Sequence, residues 1–278
     1  MKKEILEKLK TYFASRDEIV MAFLFGSRAE GRARNDSDWD IGVYFIPKTR
    51  GELETKERYA GENEISGEVA RLIGAETDVV ILNRARPSLV FDVLNSGKVL
   101  ANKDETLYLE LLSKTHYEAV DYWNFVKEFW DIRQQAASLT PKARALLVEH
   151  LTFLENELAD SPKFKDLSWK EYQENRGQRR EVERWVENVV MSLLDIAKIV
   201  LASEKKDVPQ TYNETIKQFA IAFTDEKTAE KLAAFAELRN LVVHEYLDLR
   251  FARIKRFIEE AGTQFPLVLE KIKGIIKS

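Results

Sequence analysis

The spacing of apolar residues changes once along the chain, near residue 105, and this change limits the fold more than any other feature. Before it, apolar residues come in runs of strand length: IVMAFLF at 19–25, WDIGVYFI at 39–46 stopped by Pro47, and TDVVIL at 77–82. Beyond it they recur at helical spacing with few breakers, through 105–136, 141–159, 178–203, 211–222, 226–244 and 249–276. The two halves therefore cannot share one architecture. The first is expected to be an α/β (α+β) domain with a short mixed sheet. It opens on an amphipathic helix over residues 2–15 and carries a second helix that ends near Gly74. The second half is expected to be an all-α bundle. Thr140-Pro141 marks a boundary, because proline suits a first helical position. The division is then 1–105, a bridging helix over 106–140, and the bundle over 141–278.

A length of 278 residues with 45% hydrophobic content is enough to fill two cores. No run approaches the roughly 18 apolar residues of a membrane helix, and the opening MKKEILEKLKTYF carries Glu4 and Glu7 among its apolar positions. A cytoplasmic protein with no membrane partner is the expectation. Cysteine is absent and the three histidines, His116, His150 and His244, are scattered. A catalytic metal would therefore rest mainly on carboxylates. A net charge of -4 offers no global attraction to nucleic acid.

The segment GSRAEGRARNDSDWD, 26–40, follows the first apolar run directly. In a strand, Asp38 and Asp40 project to one side while Trp39 and Ile41 project to the other. Such a carboxylate pair makes a hard oxygen site for Mg²⁺ or Mn²⁺. Asp78 opens the third run in the same way, and three acids converge if the two strands are neighbours. A glycine after a strand permits a tight turn, and the N–H groups of a following helix can meet phosphate oxygens, with the Ser27 hydroxyl as a further donor. Taken singly, each residue has a plain structural explanation as a cap, a turn or a strand end. The combination points to a divalent metal ion at one end and a nucleotide triphosphate at the other. Of Arg28, Arg32 and Arg34, only Arg28 is kept as a candidate for the triphosphate.

Gly26-Ser27, ten residues, then Asp38-Trp39-Asp40, with Asp78 on a later strand, resembles the minimal nucleotidyltransferases of the polymerase β superfamily. The resemblance implies a transferase core over about residues 1–105 that uses ATP and Mg²⁺ or Mn²⁺. Asp38 and Asp40 would be metal ligands, and Asp78 would assist the metal and take the acceptor's proton. Gly26 and Ser27 would hold the β and γ phosphates.

In the helical half, ELRNLVVHEYLDLR at 237–250 carries Asn240 and His244 on one helical face, with Arg239 about 140° away from His244. Asp248 is expected to cap the next helix, with a break just before it. An arginine and a histidine can together cleave RNA without metal, the histidine moving a proton and the arginine stabilising charge on phosphorus. Arg239, His244 and Tyr246 also resemble the motif of HEPN-type proteins, in particular the toxin subunits paired with minimal nucleotidyltransferases, and the likeness covers about 143–275. It implies that Arg239 and His244 are ribonuclease residues, Asn240 is auxiliary, and Tyr246 is where the partner transferase attaches AMP. It also implies a homodimer through the helical half, with RNA as a partner. Here both modules share one chain.

Three functions stay open on the sequence. The first is transfer of AMP from ATP to a hydroxyl, with Tyr246 as that hydroxyl. The second is modification of an aminoglycoside or lincosamide antibiotic, which an acidic cleft lined from 105–136 would favour. The third is a HEPN ribonuclease or nucleic-acid-binding module with a regulatory transferase domain. NRGQRR at 175–180 is taken as the basic start of a solvated helix, and the aromatic stripe YWNFVKEFW at 122–130 as packing.

Overall fold

The computed structural model describes residues 2–33, 37–135, 139–240 and 247–277, with side chains omitted at 2, 3, 240 and 247–249. The chain forms two compact units, Met1–Asn124 and Phe125–Ser278.

The first unit runs α1 (Lys2–Ala14), β1 (Ile19–Phe25), α2 (Gly26–Ala29), β2 (Trp39–Phe45), α3 (Glu62–Ile73), β3 (Thr77–Ile81), α4 (Pro87–Ser96) and β4 (Lys98–Asn102), and it includes the start of α5 (Glu105–Gln135). The strands form one mixed sheet in the order β3-β2-β1-β4, with β2 and β3 parallel and the other pairs antiparallel. Alternation along the strands gives the sheet two apolar faces. Trp39, Ile41, Val43 and Phe45 of β2 pack with Leu9 and Phe13 of α1 and Ile65 and Val69 of α3. On the other face Phe23 and Tyr44 meet Val90 and Val93 of α4 and Leu107 and Leu111 of α5. Each such side chain contributes roughly 1.5–3 kcal/mol by leaving water. A 3-10 turn at Leu82–Arg84 ends β3, and the buried Asn83 prolongs the ladder there. Its amide accepts from Phe45 N at 2.8 Å and donates to Phe45 O at 3.2 Å, as a paired backbone would.

The helix α4 and the strand β4 are additions to the three strands and two helices legible in the sequence of this unit. Pro87 at the helix start and Gly97 just past its end were the available signals.

The second unit continues along α5 and contains α6 (Pro141–Ala159), α7 (Trp169–Glu174), α8 (Arg176–Ser203), α9 (Tyr212–Ala220), α10 (Glu226–Ala234) and α11 (Leu247–Lys277). Side-chain caps start five of these helices: Thr140, Ser168, Asn175, Thr211 and Asp225 each accept from a first-turn N–H. The C-terminal part of α8 is buried almost all round and forms the axis of the bundle. Among the described residues, no helix is long and apolar enough to cross a membrane.

Three expectations for this half are corrected. The helix expected over 226–244 leaves the α form after Ala234 and continues as a 3-10 turn, Phe235–Asn240. At that point Phe235 is drawn into an aromatic cluster, 4.8 Å from Phe257 and 6.2 Å from Phe265, so tertiary packing overrides the helical spacing. Asp248 does not precede the last helix, which already begins at Leu247. The helix expected from 178 starts at Arg176, because Asn175 caps it by accepting from Gly177 N and Gln178 N. The aromatic stripe of α5 is divided: Phe125 and Phe129 are buried, whereas Trp123 and Trp130 are exposed.

Candidate active site

Three neighbouring strands bring the acidic residues and the glycine turn into one row. Phe25, the last residue of β1, is the register partner of Asp40, and Asp40 is the register partner of Asp78. Adjacent strands lie about 4.8 Å apart, so the row from the end of β1 to Asp78 spans roughly 10 Å. Asp38 stands just before β2 and is exposed, as is Asp78, while Asp40 is half-buried.

Gly26 leaves β1 with φ of 67°, a left-handed conformation that side chains rarely adopt. It also lies directly against Asp40: a Cβ built on Gly26 would overlap Asp40 Oδ2. Both backbone angle and space therefore demand glycine. Ser27 follows in the short α2, and its carbonyl accepts from Arg32 N at 2.9 Å.

The electrostatics of the row favour a cation. Burial raises the Asp40 carboxyl above the usual carboxylate range, and the negative charges of Asp78 and Asp38 raise it further, offset in part by Arg28. Among the described residues, no three or more His, Cys, Asp or Glu side chains gather closely enough to hold a metal ion by themselves. A Mg²⁺ site uses one or two carboxylates and completes its shell with water and substrate phosphates, and Asp38 and Asp40 are donors of that kind. Hard oxygen donors around an uncompensated carboxylate fit Mg²⁺ or Mn²⁺.

Arg28 is engaged with the backbone that leads into β2. Its Nε donates to Ser37 O at 2.9 Å and to Asp38 O at 3.0 Å, and Nη2 also donates to Ser37 O. The guanidinium carbon sits 4.7 Å from the centre of the Trp39 ring. Charge-assisted hydrogen bonds and a cation–π contact each contribute on the order of 1 kcal/mol or more. Arg28 thus fixes the stretch that carries Asp38.

A cleft of about 370 Å³ adjoins the row on the β3 side, with Asp38 and Asp78 in its wall. The rest of the lining comes from Ser66, Gly67 and Ala70 of α3 and from Glu76 and Thr77 ahead of Asp78. No motif marked these residues. The only sequence signal was the run of small residues in a helix that is otherwise rich in charge.

In the second unit, Arg239 lies near the end of the 3-10 turn, where its guanidinium carbon is 4.4 Å from the Tyr212 ring centre and its Nε 2.8 Å from Met191 Sδ. Asn240 is the last residue of that turn. His244 and Tyr246 lie outside the described residues.

Comparison with known families places a match on each half. The family described as Polymerase beta, Nucleotidyltransferase matches residues 7–106, and the family described as Ribonuclease HepT-like matches residues 152–272. No curated protein gives a significant match. Among solved structures, a toxin-antitoxin with AMP-PNP is 20% identical at a TM-score of 0.35, covering 46% of this chain and 98% of that one. A tri-AMPylated HEPN toxin of Shewanella oneidensis in complex with MNT antitoxin is 18% identical at a TM-score of 0.34, covering 46% and 98%.

Proposed function

We propose that this chain, which joins a polymerase β-type nucleotidyltransferase domain to a HepT-like domain, transfers AMP from ATP to a hydroxyl, and that the hydroxyl is that of Tyr246 in its own helical half. The observation that carries this is the row of Gly26, Asp40 and Asp78 across three adjacent strands.

The turn at Gly26-Ser27 would receive the β and γ phosphates through backbone N–H groups at the start of α2 and the Ser27 hydroxyl. Asp38 and Asp40 would hold Mg²⁺ or Mn²⁺, which supplies neutralisation of phosphate charge and acidifies a bound hydroxyl. Arg28 keeps Asp38 in place through its carbonyl. The acceptor oxygen bonds to the α-phosphorus while the bond from that phosphorus to the oxygen bridging to the β-phosphate breaks. Pyrophosphate departs, and the hydroxyl proton passes to the Asp78 carboxylate. The transferase occupies 1–105, the bridging helix 106–140 and the bundle 141–278. In the bundle, Arg239 and His244, with Asn240 in support, form the ribonuclease set that the modification regulates. A homodimer through the bundle presents that set to RNA.

Intact mass spectrometry after incubation with ATP and Mg²⁺ tests the proposal. Wild type gains AMP, and both Asp40→Asn and Tyr246→Phe fail to gain it. AMP that persists on Tyr246→Phe would exclude that tyrosine as the acceptor.

A further inference from the structure

We propose that Tyr212 and Met191 form a shelf that holds the Arg239 guanidinium in place for an RNA phosphate, which makes both of them positioning residues of the ribonuclease set. This rests on the ribonuclease role proposed above for Arg239 and adds two side chains that lie outside that set.

The path of the backbone is the first reason. The chain leaves the α form after Ala234 and runs on as the 3-10 turn Phe235–Asn240. A 3-10 turn advances about 120° per residue where an α-helix advances about 100°. Over residues 235–239 the difference accumulates to roughly 100°, so the turn aims Arg239 along a different line from that of a continued helix. Phe235 anchors the turn in its aromatic cluster. The arginine arrives on the ring of Tyr212, its guanidinium carbon 4.4 Å from the ring centre, with Nε donating to Met191 Sδ at 2.8 Å.

The second reason is that the shelf is itself fixed. Tyr212 is the first residue of α9, whose start is held by the Thr211 side chain accepting from Glu214 N at 3.0 Å. Tyr212 and Phe125 of α5 meet edge to face, with ring centres 5.3 Å apart and planes at 88°. Phe125 is buried, and Lys198 Nζ lies 5.5 Å from its ring centre. Met191 stands in α8 between the buried Val190 and Ser192. Arg239 therefore rests on a surface built from three packed helices.

The third reason is the chemistry of the two partners. A carboxylate in either place would hold the arginine but offset the charge that a phosphate needs. A ring takes the flat face of the guanidinium, whereas phosphate oxygens bind its N–H edge in pairs. A thioether is a weak acceptor and gives up Nε to a charged phosphate oxygen. Tyr212 and Met191 thus orient the cation without neutralising it. That suits a group that must meet negative charge building on phosphorus.

Single-turnover cleavage of a fluorescently labelled single-stranded RNA by the full chain, purified without ATP, tests the shelf. Tyr212→Phe keeps the ring and is expected to stay within about twofold of wild type, whereas Tyr212→Leu is expected to be about tenfold slower, the size of a lost cation–π contact. Met191→Leu keeps the volume without the acceptor, and a loss of about threefold is expected. On an Arg239→Ala background neither leucine substitution slows cleavage further, because both act through the arginine. Equal losses with and without Arg239 would show that they act through the fold, and the shelf would be rejected, as it would by a wild-type rate in both leucine variants. If wild type cleaves no RNA, or Arg239→Ala cleaves it as fast, the ribonuclease role fails and the shelf with it. Thermal melts on each variant show that the fold is retained.

Discussion

Gly26 is packed so closely on the Asp40 carboxylate that not even a methyl group fits between them. The contact joins the end of β1 to the middle of the acidic row.

Gly26→Ala is therefore expected to reduce AMP incorporation by about a hundredfold or more, since a displaced carboxylate of 1 Å suffices for that loss. The left-handed backbone adds a stability cost of about 1 kcal/mol or more. Kinetics by intact mass and a denaturant titration measure the two effects. Activity near that of wild type would show that the turn can move away from Asp40 without consequence.

Arg28 allows two roles to be separated. If it holds Asp38 in position, Arg28→Lys leaves the affinity for ATP unchanged and slows AMP incorporation about tenfold, which corresponds to roughly 1.4 kcal/mol of lost support. Lysine keeps the charge but lacks the planar fork that reaches both Ser37 O and Asp38 O. A fall in ATP affinity at an unchanged rate would instead assign Arg28 to the triphosphate.

Much of the first unit was legible because its strands are short apolar runs bounded by breakers. The run at 19–25 is β1 itself, and Asp78 was recognisable as the opening of a strand. What linear order does not reveal is which strands are neighbours, so the pairing of Asp40 with Asp78 needed the sheet. The role of Arg28 was hidden for a similar reason, since its partners lie nine and ten residues away on a separate segment. In the helical half, the 3-10 turn at Phe235–Asn240 follows from packing with Phe257 and Phe265, a contact that helical periodicity does not encode. The short α7 did have a local signal, the capping box of Ser168 and Glu171.

A buried polar triad should dominate the stability of the second unit. Glu183 accepts the Tyr172 hydroxyl at 2.6 Å and pairs with Arg250 at 3.0 Å, with Glu183 and Arg250 side chains only 6% and 13% exposed. Removing the carboxylate leaves buried donors without their acceptor, so Glu183→Ala is expected to cost about 3–5 kcal/mol. Chemical denaturation monitored by tryptophan fluorescence reads this. A loss under about 1 kcal/mol would mean that water replaces the carboxylate, contrary to the burial.

Alkaline pH should unfold the chain through its tyrosines. Burial raises Tyr12, Tyr44, Tyr59 and Tyr172 well above the usual value near 10, and the carboxylates of Glu68, Glu52 and Glu183 raise Tyr12, Tyr59 and Tyr172 further through hydrogen bonds. The folded state holds these protons more tightly than the unfolded state. Their contribution is complete below about pH 10 and is lost as pH rises above it. Phenolate absorbance should therefore show the two fully buried tyrosines, Tyr44 and Tyr172, ionising only together with loss of the folded circular dichroism signal. Smooth titration of both near pH 10 with the fold intact would contradict their burial.

Asp38, Asp40 and Asp78 are proposed to act as one divalent-ion-dependent nucleotide site, and electron paramagnetic resonance of Mn²⁺ tests this most directly. With the wild-type chain, free Mn²⁺ is expected to disappear from the spectrum beyond what ATP alone removes, and Asp40→Asn is expected to abolish that excess. Equal Mn²⁺ and ATP retention by wild type and Asp40→Asn would contradict the claim.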